Sequence, residues 1–270
     1  MSGQPVARPA GAAGRAAVLP SPLLSLRDVG KRFGPVQALH GIDLDLPAGQ
    51  VTALVGDNGA GKSTLIKAIA GIHPIDAGQM LWRGEPVHIH SPRDASALGI
   101  ETVYQDLALC DNLDIVQNMF LGREVVHSGV LDEANMETKA NQTLSELSVT
   151  TVSSIRQLVS SLSGGQRQAV AVARAVMWDA QLVIMDEPTA ALGVSQTAMV
   201  LELVKRLSSS GIAVLVVSHN LNDVFQVADR IAVMYLGSLA RVAPIEQLTV
   251  GSTVELITTG TLTGETDREQ

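Results

Sequence analysis

The chain has 270 residues, and its net charge of −8 weakly opposes electrostatic binding to nucleic acid or to anionic lipid. Hydrophobic residues make up 46% of the chain and aromatic residues 3%, which predicts an aliphatic core of the kind found in α/β proteins. Cys110, the single cysteine, cannot form an internal disulfide, and no uncharged stretch reaches the roughly 18 apolar residues of a membrane-spanning helix. The chain is therefore predicted to be cytosolic and to serve any membrane process only as a peripheral partner.

The composition predicts one folded domain between two irregular ends. Residues 1–22 are rich in Ala, Gly, Pro and Arg without periodicity, which is typical of a disordered leader. A single domain is predicted over residues 23–258, because no low-complexity linker divides it, and a polar tail over residues 259–270.

Two segments near the start of this domain, 24–26 and 42–46, alternate leucine or isoleucine with other residues. A period of two predicts an antiparallel ribbon. Phe33 lies between the segments in a polar turn, where a large aromatic residue needs a reason. It could stack on an adenine ring or plug a hairpin, and this stretch alone supports the two interpretations equally.

The most specific motif follows an apolar run at residues 51–55 that predicts a buried strand. The motif consists of Gly56, Asp57, Asn58, Gly59, Ala60, Gly61, Lys62, Ser63 and Thr64. Helical spacing of apolar residues over 65–70 completes the strand, glycine loop and helix of a phosphate-binding loop. The glycines let consecutive N–H groups face a polyphosphate, Lys62 reaches its β and γ phosphates, and Ser63 is placed to bind Mg²⁺. A glycine-rich turn before an ordinary helix is a much weaker alternative.

Segments 78–82 and 86–90 predict a short strand pair in which His88 and His90 share one face. Two histidines on one face suggest a metal site. No further metal-ligating residue lies nearby at suitable spacing, so a solvated strand edge is the favoured interpretation.

A strand is predicted over residues 99–104, and it ends at Gln105. The sequence then becomes polar and helical, with helices predicted over 114–121 and 132–147. We interpret residues from about 107 to 165 as a helical subdomain inserted into an α/β core.

A second anion-binding turn is predicted near the end of this block. It consists of Leu162, Ser163, Gly164, Gly165 and Gln166. A strongly periodic helix follows over residues 167–177, and a serine with two glycines at a helix start leaves N–H groups and the positive end of the helix dipole available to an anion. A capped helix after a serine-rich loop is the alternative.

Two further apolar runs, 182–187 and 212–217, predict buried strands that end in polar residues. Paired carboxylates rarely end such a strand without a function. Asp186 is therefore predicted to hold Mg²⁺, through water, and Glu187 to orient and polarise an attacking water. His219 emerges at the same sheet edge, where it can donate to a γ-phosphate oxygen.

The motifs and their order over residues 23–258 resemble the nucleotide-binding subunit of an ATP-binding-cassette (ABC) transporter, and the sequence of residues 162–166 is highly specific to that family. The resemblance implies a P-loop core of RecA type, an antiparallel ribbon and a helical subdomain. It implies that Phe33 stacks on adenine, that Gln105 senses Mg²⁺, and that His219 is a switch residue. It also implies that each ATP lies between the phosphate loop of one copy and residues 162–166 of another.

Residues 103–109, 189–193 and 218–225 further resemble bacterial importers of simple sugars such as fructose, ribose or xylose. This implies an ATPase that couples hydrolysis to sugar uptake. It also implies a homodimer at the cytoplasmic face of the membrane, together with permease subunits and a sugar-binding protein. Gly193 departs from the ABC pattern, in which an aspartate is usual, and this puts in doubt the detail of communication across the dimer.

Other functions are compatible with a phosphate-binding loop. A soluble ABC ATPase that acts on nucleic acid or ribosomes is opposed by the acidic charge, and no nucleic-acid partner is expected. A P-loop kinase of small metabolites is opposed by residues 162–166. An ABC subunit for a solute other than sugar is the remaining alternative.

Overall fold

A computed structural model of the protein describes residues 22–127, 129–149 and 151–262. Residues 1–21 of the predicted leader and residues 263–270 of the predicted tail lie outside the described residues. The first strand begins at Pro22, which was assigned to the leader, because Pro22 pairs with Pro47 of the neighbouring strand.

Strands and helices alternate along most of the chain. The strands are β1 (Pro22–Phe33), β2 (Val36–Pro47), β3 (Val51–Gly56), β4 (Ala77–Trp82), β5 (Glu85–Val87), β6 (Ile100–Val103), β7 (Val126–His127), β8 (Val130–Leu131), β9 (Leu182–Asp186), β10 (Ala213–Val217), β11 (Arg230–Tyr235) and β12 (Ser238–Pro244). The helices are α1 (Lys62–Ile69), α2 (Pro92–Ala97), α3 (Ile115–Phe120), α4 (Glu133–Glu146), α5 (Gly164–Val176), α6 (Val194–Ser209), α7 (Leu221–Val227) and α8 (Val250–Thr259). Two short 3₁₀ turns lie at Val159–Ser161 and Ile245–Gln247.

The main sheet has the strand order β12-β11-β3-β10-β9-β6, and it is parallel except for the β11–β12 hairpin. Every residue of β3 and β10 is buried, as expected of parallel strands that are covered on both faces. Leu54 and Leu215 pack on one face with the ribbon and α1, whereas Val55 and Val216 pack on the other face with α5 and α6. The parallel register brings the carboxyl ends of β3, β9 and β10 to one edge.

The second sheet is antiparallel, with the order β2-β1-β4-β5, and the predicted ribbon is confirmed. Two details differ from the sequence prediction. Phe33 is the last residue of β1 and not part of the turn, since it pairs with Val36. His88 and His90 lie beyond the end of β5, where their exposed rings stack 6.0 Å apart. No cluster of three metal-ligating side chains occurs within the described ranges.

The helical block between β6 and β9 contains the two predicted helices. α3 follows its cap Asp114, which forms a reciprocal capping box with Gln117, and α4 follows its cap Asp132. A separate apolar core forms around Phe120, whose ring meets Trp178 edge-on at 5.7 Å between centroids. Helix α5 contributes Val170 to this core and other residues to the core of the main sheet, so it joins the two parts.

The predicted α/β class with ribbon and helical insertion is therefore confirmed. Among the residues that the structure describes, none of the helices combines the length and apolar character needed to cross a bilayer.

Candidate active site

The phosphate loop opens into a cleft of about 380 Å³ at the carboxyl edge of the main sheet. The cleft is lined by Val36, Gln37, Ala38, Asn58, Gly59, Gly61, Lys62, Ser63, Thr64, Leu236 and Gly237. These residues come from the ribbon, the loop between β3 and α1, and the β11–β12 turn. Most of the predicted phosphate-binding residues are thus together on one cleft wall, at the positive end of α1.

Two glycines of this loop have no room for a side chain. A Cβ on Gly56 would lie 2.5 Å from the carbonyl oxygen of Met234. A Cβ on Gly61 would lie 2.9 Å from the carbonyl oxygen of Ala38, and Gly61 has a φ of 103°. The loop therefore needs glycine both for its backbone conformation and for its contact with neighbouring strands.

Lys62 begins α1 and turns its side chain back over the loop. Its Nζ donates to the carbonyl oxygens of Gly56 at 2.7 Å and Asp57 at 3.0 Å. Burial lowers the pKa of Lys62, while the carboxylates of Glu187, Asp57 and Asp186 act in the opposite direction. The ammonium is thus held inside the loop, close to the acids at the end of β9.

Those acids stand beside His219, as the strand order predicts. Asp186 pairs with Val217 in the parallel register, and the N–H of Glu187 donates to the carbonyl of Val217 at 2.9 Å. His219 Nδ1 lies 2.8 Å from Glu187 Oε2. This pairing brings the predicted water-orienting carboxylate and the predicted switch histidine into direct contact.

Both acids carry signs of an unusual environment. Burial, and next the neighbouring Glu187, raise the pKa of Asp186, and Lys62 opposes the shift. Glu187 has a φ of 50°, a left-handed conformation that is uncommon for a residue with a side chain. Local strain of this kind is frequent at functional sites.

Residues 162–166 form a separate feature at the start of α5. Ser163 caps the helix and forms a capping box with Gln166, and Gly164 and Gly165 begin the helix itself. The helix was predicted to start at residue 167, which is wrong because the capping box outweighs the poor helix propensity of glycine. A Cβ on Gly165 would lie 2.6 Å from the Cε of Met199 on α6. Within the described part of the chain, none of these residues lines the phosphate-loop cleft.

Phe33 and Gln105 lie outside the lining of the cleft. Phe33 is 43% exposed, and its ring meets the His73 ring edge-on at 5.2 Å while Lys31 Nζ lies 5.4 Å from its centroid. Gln105 is exposed in the loop after β6, which ends at Val103 and not at residue 104. The structure leaves both side chains accessible to a ligand.

Sequence reasoning missed Val36, Gln37 and Leu236 as cleft residues. Val36 is 62% exposed and Leu236 70% exposed, which is high for aliphatic side chains. Leu236 also has a φ of 45° in the turn before Gly237. No local pattern marks these residues, because their role depends on the start of β2 and the β11–β12 turn, which are distant in sequence and meet at the phosphate loop.

The segment after Glu187 leads through Gly193 into α6. Gly193 precedes α6 without a side-chain cap, and Val194 is 91% exposed. Thr189 Oγ1 donates to Asp223 Oδ2 at 2.7 Å, which ties this segment to α7. An aspartate at residue 193 could cap α6 with its side chain, whereas Gly193 contributes only its carbonyl, which accepts from the N–H of Thr197 at 2.9 Å.

Comparison with known proteins gives relatives over most of the chain. The chain is 47% identical to the xylose/arabinose import ATP-binding protein XylG of Sulfolobus acidocaldarius over 238 residues, which are 88% of this chain and 94% of the relative. It is 47% identical to the fructose import ATP-binding protein FrcA of Rhizobium meliloti, again over 88% and 94% of the two chains. It is 37% identical to the ribose import ATP-binding protein RbsA 2 of Escherichia coli O157:H7, of which it covers 46%.

A solved ATP-binding cassette of an ABC transporter, MJ1267, superimposes with a TM-score of 0.78 at 25% identity, over 88% of this chain and 98% of that chain. Residues 39–190 match the family described as ABC transporter. That match contains the phosphate loop, residues 162–166, and Asp186 and Glu187 at the end of β9. It also contains the helical block that separates them. Sequence, fold and site thus lead to one conclusion: the chain belongs to the ABC transporter family.

Proposed function

We propose that the chain is the ATP-hydrolysing subunit of an ABC importer for a simple sugar. The observation that carries the proposal is the meeting of Lys62, Asp186, Glu187 and His219 at one sheet edge beside a phosphate loop. The near full-length similarity to proteins named for xylose/arabinose and fructose import supports the sugar as the substrate class.

The loop residues would bind the phosphates of ATP. Its backbone N–H groups and the start of α1 supply positive potential, and Lys62 Nζ exchanges its bonds to loop carbonyls for bonds to phosphate oxygens. Phe33 is exposed at the end of β1 and contacts only the edge of the His73 ring among aromatic neighbours in the described residues, so it can stack on the adenine ring.

The residues present fit a magnesium site. Ser63 and Asp186 supply a hydroxyl and a carboxylate oxygen, and Gln105 an amide oxygen, which are the hard ligands that Mg²⁺ prefers. The partly buried Asp186 has a raised pKa because burial disfavours its charge, and a nearby cation would favour the ionised form. When bound, Mg²⁺ neutralises negative charge on the phosphates.

Glu187 and His219 would carry the chemical step. Glu187 accepts a proton from water, whose oxygen bonds to the γ phosphorus while the bond to the β–γ bridging oxygen breaks, which leaves ADP and phosphate. A protonated His219 can donate from Nδ1 to Glu187 and from Nε2 to a γ-phosphate oxygen. The contact at 2.8 Å holds the two side chains ready for these roles.

A homodimer would complete each site. The N–H groups of Gly164 and Gly165 open α5, while those of Ser163 and Gln166 are engaged in the capping box. Among the described residues, none of these four lines the cleft of its own chain. In a head-to-tail pair, these residues of one copy could close the phosphate-loop cleft of the other. ATP binding would join the copies and hydrolysis would separate them.

The separation would drive a membrane partner at the cytoplasmic face. We propose permease subunits, docked on the helical block as a peripheral contact, and a sugar-binding protein in the same complex. The net charge of −8 is consistent with the absence of a nucleic-acid partner from this proposal.

Two experiments test the proposal. Purified Glu187→Gln protein with Mg-ATP should elute as a dimer in size-exclusion chromatography with light scattering, because ATP remains bound; Lys62→Ala is the matched monomer control. A Glu187→Gln protein that stays monomeric would contradict the shared site.

The reconstituted complex should then take up labelled xylose, fructose or ribose with ATP hydrolysis. Hydrolysis without uptake of any monosaccharide would exclude sugar as the substrate class.

A further inference from the structure

Arg174 lies in α5, ten residues after the first residue of that helix, and it is partly buried. Its Nη1 donates to the carbonyl oxygen of Ala108 at 2.8 Å, and its Nη2 to that of Leu107 at 2.9 Å. Both carbonyls belong to the loop after β6, which also carries Gln105. The planar guanidinium therefore spans two successive peptide groups, with a separate nitrogen donating to each carbonyl.

The positive charge of this guanidinium interacts with backbone carbonyl oxygens. Among the described residues, no carboxylate lies within ion-pair distance of Arg174; the nearby Glu101 is paired with Arg123 at 3.2 Å. Burial is the main influence on the pKa of Arg174 and lowers it. A partly buried cation without an acidic partner is costly, so its two bonds to the loop are its compensation.

The loop that Arg174 holds is strained. Ala108 has a φ of 48°, and its N–H donates to Asp106 Oδ1 at 3.3 Å. A left-handed alanine is unfavourable and persists only where surrounding contacts hold it. The far end of the loop is fixed separately by the fully buried Asn118, which bonds both the N–H and the carbonyl of Cys110.

We propose that Arg174 is a positioning residue for ATP hydrolysis: it fixes the loop that carries Gln105 to the helix that begins with Gly164 and Gly165. The inference rests on the proposed function, in which Gln105 is a ligand of Mg²⁺ and residues 163–166 meet the nucleotide of a second copy. A movement of α5 as the dimer closes is then transmitted through one side chain to the metal-binding glutamine. Arg174 itself does not touch the nucleotide.

The test compares Arg174→Met, which keeps the stem and removes the donors, with Arg206→Met, which removes an arginine paired with Glu202 on α6. We expect Arg174→Met to lower kcat about tenfold with KM for ATP changed less than about twofold, because binding is intact and metal placement is not. Hydrogen exchange of the amides at residues 106–109 should accelerate in Arg174→Met and stay unchanged in Arg206→Met. If Arg174→Met does not fold, Arg174→Lys should show a smaller fall of the same kind.

A double-mutant cycle with Gln105→Ala separates positioning from general stability. If Arg174 acts through Gln105, adding Arg174→Met to Gln105→Ala should lower kcat by less than about twofold. A full tenfold further loss, or unchanged kcat in Arg174→Met alone, would overturn the inference. The wild-type protein separates a failure of this inference from a failure of the proposed function. If the wild-type protein hydrolyses no ATP at all, the proposed function is refuted. Hydrogen exchange at residues 106–109 should accelerate in Arg174→Met whether or not the wild-type protein hydrolyses ATP. Unchanged exchange would refute the claim that Arg174 fixes this loop.

Discussion

Replacing Glu187 with glutamine removes the proposed proton acceptor with little change of shape. The Glu187 side chain is 16% exposed, and its backbone N–H bond to Val217 does not depend on the side chain. The substitution changes the contact to His219 Nδ1 at 2.8 Å from an acceptor carboxylate to an amide. General-base catalysis is worth about 10² to 10⁴ in rate, so we expect kcat to fall by that factor, or about 3 to 5 kcal/mol in activation free energy.

The assay is steady-state phosphate release together with equilibrium binding of ATP. We expect the Kd for ATP to change less than about threefold, because the phosphate loop is untouched. Glu101→Gln is the matched control: its side chain is 18% exposed, it lies on neighbouring β6, and it pairs with Arg123 away from the cleft. Turnover of Glu187→Gln above about a tenth of the wild-type rate would refute the assigned role, as would an equal loss in Glu101→Gln.

Three further outcomes follow from the structure. Lys62→Ala should weaken ATP binding, with a Kd at least about tenfold higher by calorimetry. Unchanged affinity would contradict the role of Lys62 in binding the phosphates. Asp186→Asn should raise the melting temperature of the nucleotide-free protein at neutral pH. The pKa of Asp186 is raised by burial, and next by Glu187, so this group makes the folded state less stable as the pH rises above 3.8. The difference in melting temperature between Asp186→Asn and wild type should disappear as the pH is lowered towards that value. In denaturant unfolding, Gly84→Ala should lower the free energy of unfolding by about 1 to 2 kcal/mol, for its φ of 87° alone. Gly78→Ala should lower it by about a further 1 to 3 kcal/mol, because its Cβ would lie 2.2 Å from the carbonyl oxygen of Asp28. Equal losses in the two variants would refute the packing argument.

Elements with strong local signals were predicted well. The runs predicted as buried strands correspond to β3, β9 and β10, which are buried throughout except for Asp186 at the end of β9. The helices predicted over 114–121 and 132–147 start one residue before α3 and α4, because Asp114 and Asp132 are the caps of these helices. The β7–β8 hairpin was missed, because two-residue strands are too short for a period of two to be visible.

The roles assigned to individual site residues remain predictions. Lys62, Asp186, Glu187 and His219 could be placed together from sequence, because parallel strands bring their carboxyl ends to one edge of the sheet. The positions of Val36 and Leu236 in the cleft could not, since Val36 begins β2 and Leu236 lies in the β11–β12 turn, about 200 residues apart in the sequence.

The amino-acid sequence by itself determined the phosphate loop, the buried strands β3, β9 and β10, and the family. Those properties rest on short-range regularities: glycine spacing, apolar periodicity and helix caps, all of which act within a few residues. Only the tertiary structure decided that Glu187 touches His219, that residues 162–166 lie away from the cleft of their own chain, and that Arg174 holds the loop of Gln105. Such contacts join distant segments, and they depend on packing and hydrogen-bond geometry that no local pattern encodes.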